Sequence, residues 1–167
     1  MKFIRRFFQK RKLQYEHGKL YAPVSGAYIP LEDIPDATFA EGILGKGVGI
    51  EPDKGIVMSP AEGVVTVVAN TYHAIGITTD DGIELLIHIG LDTVKMQGDG
   101  FLCYVEQGQS VKFGQKLLSF NISKIHEAGY PATVMFTVAN SDQLEQIKFD
   151  VSGTIHCLEP IGMYSNG

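Results

Sequence analysis

Two of the five histidines, His73 and His88, lie on either side of a short turn sequence. The turn reads Thr79-Asp80-Asp81-Gly82, and two acids followed by glycine are typical of a type I turn closed by a left-handed residue. A turn centred between the two aspartates places the two histidines equally far from it. We therefore expect the histidines to face each other across an antiparallel hairpin, or to miss by one step, with their Cβ atoms about 4.5–5.5 Å apart.

Two imidazoles in contact have a specific chemistry. Because like charges disfavour a second proton, one ring keeps an unprotonated nitrogen near neutral pH. Such a nitrogen can act as a nucleophile, as an acid–base group or as a metal ligand. A phosphoryl group on one ring would add about −1.5 to −2 charges, and the other histidine and the Thr71 hydroxyl could donate hydrogen bonds to it. The alternative is a pair of packed strand histidines that satisfy their own hydrogen bonds.

The strand pattern predicts which face carries the pair. Side chains alternate between the two faces of a strand, so His88 shares one side with Glu84 and Leu86. The opposite side is wholly apolar and is predicted to face the core; it consists of Leu85, Ile87 and Ile89. His73 shares its face with Thr71 and Ile75.

The elements that hold this hairpin are β-rich from Lys19 onward. Glycine (19 residues) and proline (7 residues) divide the chain into short apolar runs, with turn signals recurring about every 8–12 residues. This spacing predicts an all-β fold, an antiparallel sandwich or barrel with a few short helices. The helices are expected within residues 31–42, 122–129 and 141–148, the last with Ser141 as its N-cap.

A weak internal repeat supports a pseudo-duplicated strand–turn–strand architecture. Three tetrapeptides each precede a β-type run: Pro23-Val24-Ser25-Gly26, Pro60-Ala61-Glu62-Gly63 and Asp150-Val151-Ser152-Gly153. Glycine at the fourth place is expected to serve a turn that requires a positive φ.

Composition narrows the function classes. A chain of 167 residues is about one domain, and no stretch approaches the roughly 20 apolar residues of a membrane span. Cys103 and Cys157 form no disulfide framework or clustered zinc motif. The formal charge of −5 argues against nucleic acid as a partner.

That charge combines two unlike parts. Residues 1–12 carry six basic residues and no acid, whereas the remainder holds 8 basic and 19 acidic residues. Phe3, Ile4, Phe7 and Phe8 recur at helical spacing among the cations, a pattern typical of an interfacial helix on an anionic membrane. The alternative is a solvated tail. We predict a basic amphipathic segment over residues 1–18 and a single domain over residues 19–167.

At the level of whole blocks, the sequence resembles the IIA component of the glucose class in the bacterial phosphoenolpyruvate-dependent sugar phosphotransferase system, in its stand-alone form. The resemblance spans about residues 19–165. It rests on ordered blocks, which read APVSGAYIPLEDIPDATFAEGILGKGVGIEP, SPAEGVVTVV, TYHAIGITTDDGIELLIHIGLDTVKMQGDGF, GQSVKFGQKLLSF and VSGTI.

The resemblance implies a phosphotransferase that works through a phosphohistidine. His88 would accept a phosphoryl group on Nε2 from the carrier protein HPr and pass it to a cysteine of a IIB component. His73 would support the transfer, Thr71 would orient His73, and the Gly90 carbonyl would bind the other nitrogen of His88. The family is cytoplasmic and requires no cofactor, and members also regulate other proteins through their phosphorylation state.

The resemblance also implies an apolar rim around the site on which partner proteins dock, and two acidic residues near the site. The rim residues are Phe39, Ile43, Leu86, Val94 and Met96, and the acids are Asp36 and Asp92. The acids also have an ordinary interpretation as turn and cap residues. The chain departs from the family at Leu86, Ile75 and Ile89, where phenylalanine is frequent, and at Tyr72, where asparagine is familiar.

The sequence also allows interpretations other than a phosphotransferase. His73 and His88 supply half of a tetrahedral zinc site, which a partner interface would have to complete. A cell-wall zinc peptidase is disfavoured because the chain has no H-x-H motif. A biotinyl or lipoyl domain is disfavoured because Lys54 lacks the surrounding motif.

Overall fold

The computed structural model describes residues 13–167, which form antiparallel β-sheets with two short α-helices, so the all-β prediction is confirmed. The strands are β1 Lys19–Tyr21, β2 Gly26–Pro30, β3 Lys46–Pro52, β4 Ile56–Met58, β5 Gly63–Val68, β6 Ala74–Thr79, β7 Glu84–Ile89, β8 Phe101–Cys103, β9 Ser110–Val111, β10 Lys116–Phe120, β11 Val134–Val138, β12 Gln146–Phe149, β13 Thr154–Ile155 and β14 Pro160–Ser165. The helices are α1 Ala37–Ala40 and α2 Ile122–Glu127.

One large sheet carries the hairpin. Its strand order is β13-β2-β3-β11-β7-β6-β5-β9, and two three-stranded sheets, β1-β14-β12 and β4-β10-β8, complete the described fold. The hairpin strands β6 and β7 therefore lie inside the large sheet, with β11 beside β7 and β5 beside β6. Central strands are held by hydrogen bonds on both edges, which makes this a rigid platform for a site.

The two faces of β7 have different surroundings. Leu85, Ile87 and Ile89 are buried in the main hydrophobic core, as their alternation predicts. The other face, which carries His88, is covered in part by a second and smaller cluster: Leu31, Ile34, Phe39, Leu91 and Met135. Burying each such large side chain stabilises the fold by roughly 1.5–3 kcal/mol.

The repeat marks strand starts, but its glycines serve another purpose than expected. Gly26 and Gly63 each begin a strand, and Gly153 directly precedes one. Only Gly153 has a positive φ, of 66°. A Cβ at Gly26 would lie 1.9 Å from the Glu51 carbonyl oxygen, and one at Gly63 would lie 2.3 Å from that of Thr78. Close approach of neighbouring backbones therefore explains two of these three glycines.

The third predicted helix is wrong. Residues 141–148 contain only a 3-10 turn, Ser141–Gln143, followed by strand β12. Ser141 is not a side-chain cap; its hydroxyl instead accepts a hydrogen bond from the Lys46 backbone N–H at 3.0 Å. Pairing of β12 with β14 satisfies the backbone that a helix would otherwise have satisfied internally. The other two regions hold α1 and α2 as predicted, capped by Asp36 and Asn121.

The predicted membrane-binding segment of residues 1–12 lies outside the described residues, and it stays a prediction together with the boundary at residue 18. Across residues 13–167, no helix has both the length and the apolar character that a membrane crossing requires.

Candidate active site

The β6–β7 hairpin brings the two histidines together one register step away from exact opposition. His88 pairs with Ala74, and the Ile89 N–H donates to the His73 carbonyl oxygen at 2.7 Å. The ring centroids of His73 and His88 are 5.2 Å apart with an interplanar angle of 78°. The turn has the predicted form, since Gly82 donates to the Thr79 carbonyl and has a φ of 85°. An edge-to-face histidine pair therefore sits at the end of the hairpin away from its turn.

His73 is held by a local hydrogen bond. Its Nδ1 lies 2.7 Å from the Thr71 hydroxyl oxygen. When that hydroxyl donates, the ring carries its own proton on Nε2. Burial lowers the pKa of His73 below its ordinary value, so the ring is neutral near pH 7. Thr71 thus lies where it can orient the ring, as the resemblance implies.

His88 is enclosed by its strand neighbours and by the small cluster. Met135 on β11 and Ala74 on β6 are its cross-strand partners, and the Phe39 ring meets it edge-on with the centroids 5.1 Å apart. Burial and, to a smaller extent, the charge of His73 lower the pKa of His88 to about 4, against weaker opposing effects of the Gly90 backbone and Asp36. His88 is therefore neutral at physiological pH.

The two ring nitrogens of His88 have different surroundings. Nδ1 is buried and makes no hydrogen bond of ordinary geometry with any of residues 13–167. The Gly90 backbone nevertheless raises the pKa of His88, as a hydrogen-bond acceptor would, so the expected bond to the Gly90 carbonyl stays a prediction. The side chain as a whole is partly exposed. Access from outside is therefore left to the Nε2 edge of the ring.

The backbone after His88 is shaped by Gly90. Its φ is 76°, and a Cβ there would lie 2.3 Å from Thr93 Cγ2 and 2.8 Å from the Pro131 carbonyl oxygen. The Gly90 N–H donates to the Thr133 carbonyl at 2.8 Å, and the buried Thr93 hydroxyl donates to the Ile89 carbonyl. Only glycine satisfies both the backbone conformation and the space.

Gly90→Ala is expected to lower the free energy of unfolding by about 2–4 kcal/mol, from the left-handed backbone and the crowding together. Gly42→Ala is the matched control, because Gly42 has a φ of 73° with no atom within 4 Å of a built Cβ. That control should lose only about 1 kcal/mol. Urea unfolding measures both, and equal losses would show that Thr93 and Pro131 move aside without cost.

The predicted docking rim is exposed in part. Ile43 and Val94 are 67% and 51% exposed, whereas Leu86 and Met96 are half-buried. Phe39 is a correction, since it is only 3% exposed and packs in the small cluster against His88. It supports the histidine from the protein side and offers almost no surface to a partner.

The two acids occupy different positions. Asp36 is the N-cap of α1 and accepts a hydrogen bond from the Thr38 N–H at 2.9 Å. Its carboxylate also acts on His88, where it raises the pKa. Asp92 is exposed, has a φ of 60° and lies 4.0 Å from the Lys95 amine. Asp36 is therefore a helix cap whose carboxylate charge also acts on His88, whereas the Asp92 side chain caps no helix.

A metal at this site would need outside ligands. No group of three or more histidine, cysteine or acidic residues with metal-binding geometry occurs among residues 13–167. His73 and His88 can supply two of the four ligands that zinc prefers. Zinc at a partner interface stays a prediction.

Two supporting residues, Met135 and Thr93, escaped the sequence analysis. Met135 lies opposite His88 only because β11 pairs with β7, and no local pattern reveals that register. Thr93 follows Gly90 by three residues and is fully buried. In the sequence, Gly90 indicates a tight bend after His88, and a hydroxyl three residues later is a candidate to hydrogen-bond the backbone of that bend.

Comparison with known proteins adds independent findings. Residues 18–144 match the family model described as "phosphoenolpyruvate-dependent sugar phosphotransferase system, EIIA 1". The chain is 42% identical over 147 residues to a glucose-specific EIIA component of Staphylococcus epidermidis, covering 88% of this chain and 89% of that protein. It is 44% identical over 124 residues to a beta-glucoside-specific EIIBCA component of Bacillus subtilis, covering 74% of this chain and 20% of that protein.

A solved structure agrees with the fold. The glucose permease IIA from Mycoplasma capricolum aligns with a TM-score of 0.76 at 32% identity, covering 89% of this chain and 96% of that chain. The similarity thus covers most of the fold.

Proposed function

We propose that this chain carries a phosphoryl group on His88 during sugar uptake, because it belongs to the phosphoenolpyruvate-dependent sugar phosphotransferase system EIIA 1 family. The donor would be the phosphorylated carrier protein HPr and the acceptor a cysteine of a IIB component. The EIIBCA relative, whose name places B, C and A components in one chain, supports a IIB acceptor. Glucose-named and beta-glucoside-named relatives match at similar identity, so the proposal concerns the carrier and not the sugar.

One observation carries the proposal: the Nδ1 atoms of both histidines are engaged or enclosed. Thr71 occupies Nδ1 of His73, and Nδ1 of His88 is buried. The Nε2 atoms remain for an incoming group between the two rings. A nucleophile that must meet two successive protein partners needs this kind of open edge on a fixed ring.

The electrostatics suit a nucleophile. A pKa of about 4 keeps His88 neutral at physiological pH, and in the tautomer with the proton on Nδ1 the Nε2 lone pair is available to attack phosphorus. The new N–P bond forms as the donor's N–P bond breaks, and the electron pair of the broken bond returns to the donor nitrogen. Catalysis here requires positioning and charge stabilisation more than covalent assistance.

His73 would stabilise the transferred group. With Thr71 donating to Nδ1, the proton of His73 lies on Nε2 and can be donated to a phosphoryl oxygen. A hydrogen bond to an anionic oxygen is worth about 1.5–3 kcal/mol. The dianionic product also changes the charge of the rim, which is how a regulatory role toward other proteins would be exerted.

The proposed function is tested by incubating the full chain with radiolabelled phosphoenolpyruvate, enzyme I and HPr. We expect one phosphoryl group per chain, labile in acid and stable in base. Omitting HPr is the control, and it should abolish labelling. A chain that takes no label in the complete mixture would refute the proposal.

His73→Ala should still accept the group but pass it on slowly, with onward transfer to a IIB protein reduced at least about tenfold, because the hydrogen bond to the phosphoryl oxygen is lost. Thr71→Val should show a smaller loss in the same direction, since it frees the ring without removing it. Rapid-quench measurement of label on both proteins separates the two steps. Unaltered onward transfer by His73→Ala would contradict the supporting role.

A further inference from the structure

Tyr72 adopts a backbone conformation that suits its residue type poorly. Its φ is 59°, in the left-handed region, where glycine and asparagine are favoured and a bulky aromatic side chain is strained. The tight loop between β5 and β6 imposes this conformation. Within it the Tyr72 N–H donates to the Ala69 carbonyl at 2.8 Å, and the Ala69 N–H donates to the Ala74 carbonyl at 3.0 Å.

The Tyr72 side chain makes few contacts that would stabilise the fold. Tyr72 is 42% exposed. Within residues 13–167 its ring forms no aromatic pair and its hydroxyl makes no hydrogen bond, unlike the rings of Tyr15, Tyr21 and Tyr164. A residue with a smaller side chain would satisfy the loop at lower cost. The ring therefore has no structural role that explains it.

The position of Tyr72 links it to the active site. It stands between Thr71 and His73, whose side chains are hydrogen-bonded to each other. The Thr71 backbone also adjoins the loop after Val94 and Met96, since a Cβ at Gly98 would lie 3.8 Å from the Thr71 carbonyl oxygen. The exposed Tyr72 thus lies next to His73 in a loop that borders the loop after Val94 and Met96.

We propose that Tyr72 is a specificity-determining contact for the protein that delivers the phosphoryl group, and this inference rests on the proposed function. Strained residues that the fold does not need concentrate at functional sites. Tyrosine supplies a large and rigid contact area at low cost in side-chain entropy, and it is enriched among the residues that dominate protein interfaces. Because His73 directly follows Tyr72 and its ring centroid lies 5.2 Å from that of His88, a donor docked at His88 would lie beside Tyr72.

The test compares three full-length variants with the wild type, using phospho-HPr as the donor. Tyr72→Asn removes the ring and relieves the backbone strain. Tyr72→Phe keeps the ring and the strain. Gln97→Asn is the matched strain control, because Gln97 is exposed and has a φ of 54°. Initial rates of phosphorylation give KM and kcat, and thermal unfolding gives Tm.

We expect Tyr72→Asn to raise KM for phospho-HPr roughly tenfold with kcat within about twofold, and to raise Tm by roughly 2–4 °C. Tyr72→Phe should stay near the wild type in all three quantities. Gln97→Asn should leave KM unchanged.

An unchanged KM in Tyr72→Asn would overturn the inference. So would a loss confined to kcat, which would indicate that the residue positions His73, and so would a lowered Tm, which would assign the ring to the fold. A tenfold rise of KM in Tyr72→Phe would also overturn it, because the hydroxyl and not the ring would then be recognised. If the wild type takes no label, both the proposed function and this inference fail. If the wild type is labelled, the results with the variants test only the role of Tyr72.

Discussion

His88→Asn should abolish phosphoryl acceptance: labelling from phosphoenolpyruvate, enzyme I and HPr falls below detection, a loss of at least about a thousandfold. The physical reason is that the nucleophilic lone pair is removed, and the remaining positioning groups have nothing to act on. Asparagine is short and polar, and His88 lies partly exposed beside Ala74 and Met135. The sheet is therefore expected to keep its pairing.

The matched control is His126→Asn, which makes the same change on an exposed helix position in α2. It should label like the wild type. Circular dichroism and a cooperative thermal transition would establish that both variants are folded. Label retained by folded His88→Asn would show that another residue accepts the group and would remove the site assignment.

The second large effect is a pH dependence of stability that belongs to His88. In the unfolded chain a histidine has a pKa near 6.5, whereas in the folded protein burial and His73 lower the pKa of His88 to about 4. Between these values the unfolded state binds a proton that the folded state does not. Stability therefore falls as the pH is lowered from about 6.5 to 4, by roughly 3 kcal/mol.

Other groups titrate in the same range, so the measurement is a difference between two proteins. The free energy of unfolding of wild type minus that of His88→Asn, from urea titrations between pH 4 and 7, should fall by roughly 3 kcal/mol toward the acid end. The lowered pKa of His73 acts in the same direction and is largely common to both proteins. A difference that stays constant over this range would refute the buried and neutral state of His88.

The sequence pattern predicted those structural features that depend on contacts between residues close together in the chain. The Asp80-Asp81-Gly82 turn and the alternation along β7 each depend on residues a few positions apart, and each was predicted. The histidine pair follows from the same hairpin, to within one step of register. The failed helix at residues 141–148 shows the limit, since its propensity was overridden by pairing with β14 and by the contact of Ser141 with Lys46.

The site needed more than the hairpin. The β11 strand brings Met135 against His88 from far along the chain, and α1 places Phe39 over the same ring, which turns an expected rim residue into a buried support. The strain at Tyr72 was likewise invisible, because a φ angle belongs to the closed loop and not to the residue type.

The sequence by itself determined the strand alternation, the hairpin with its two histidines, and the ordered blocks that identify the family. Only the tertiary structure decided that Nδ1 of His88 is buried, how far the pKa of His88 falls and which apolar residues face outward. The reason is physical: alternation and turns are set by neighbours within a few residues, whereas burial and pKa are sums over contacts between strands distant in the chain.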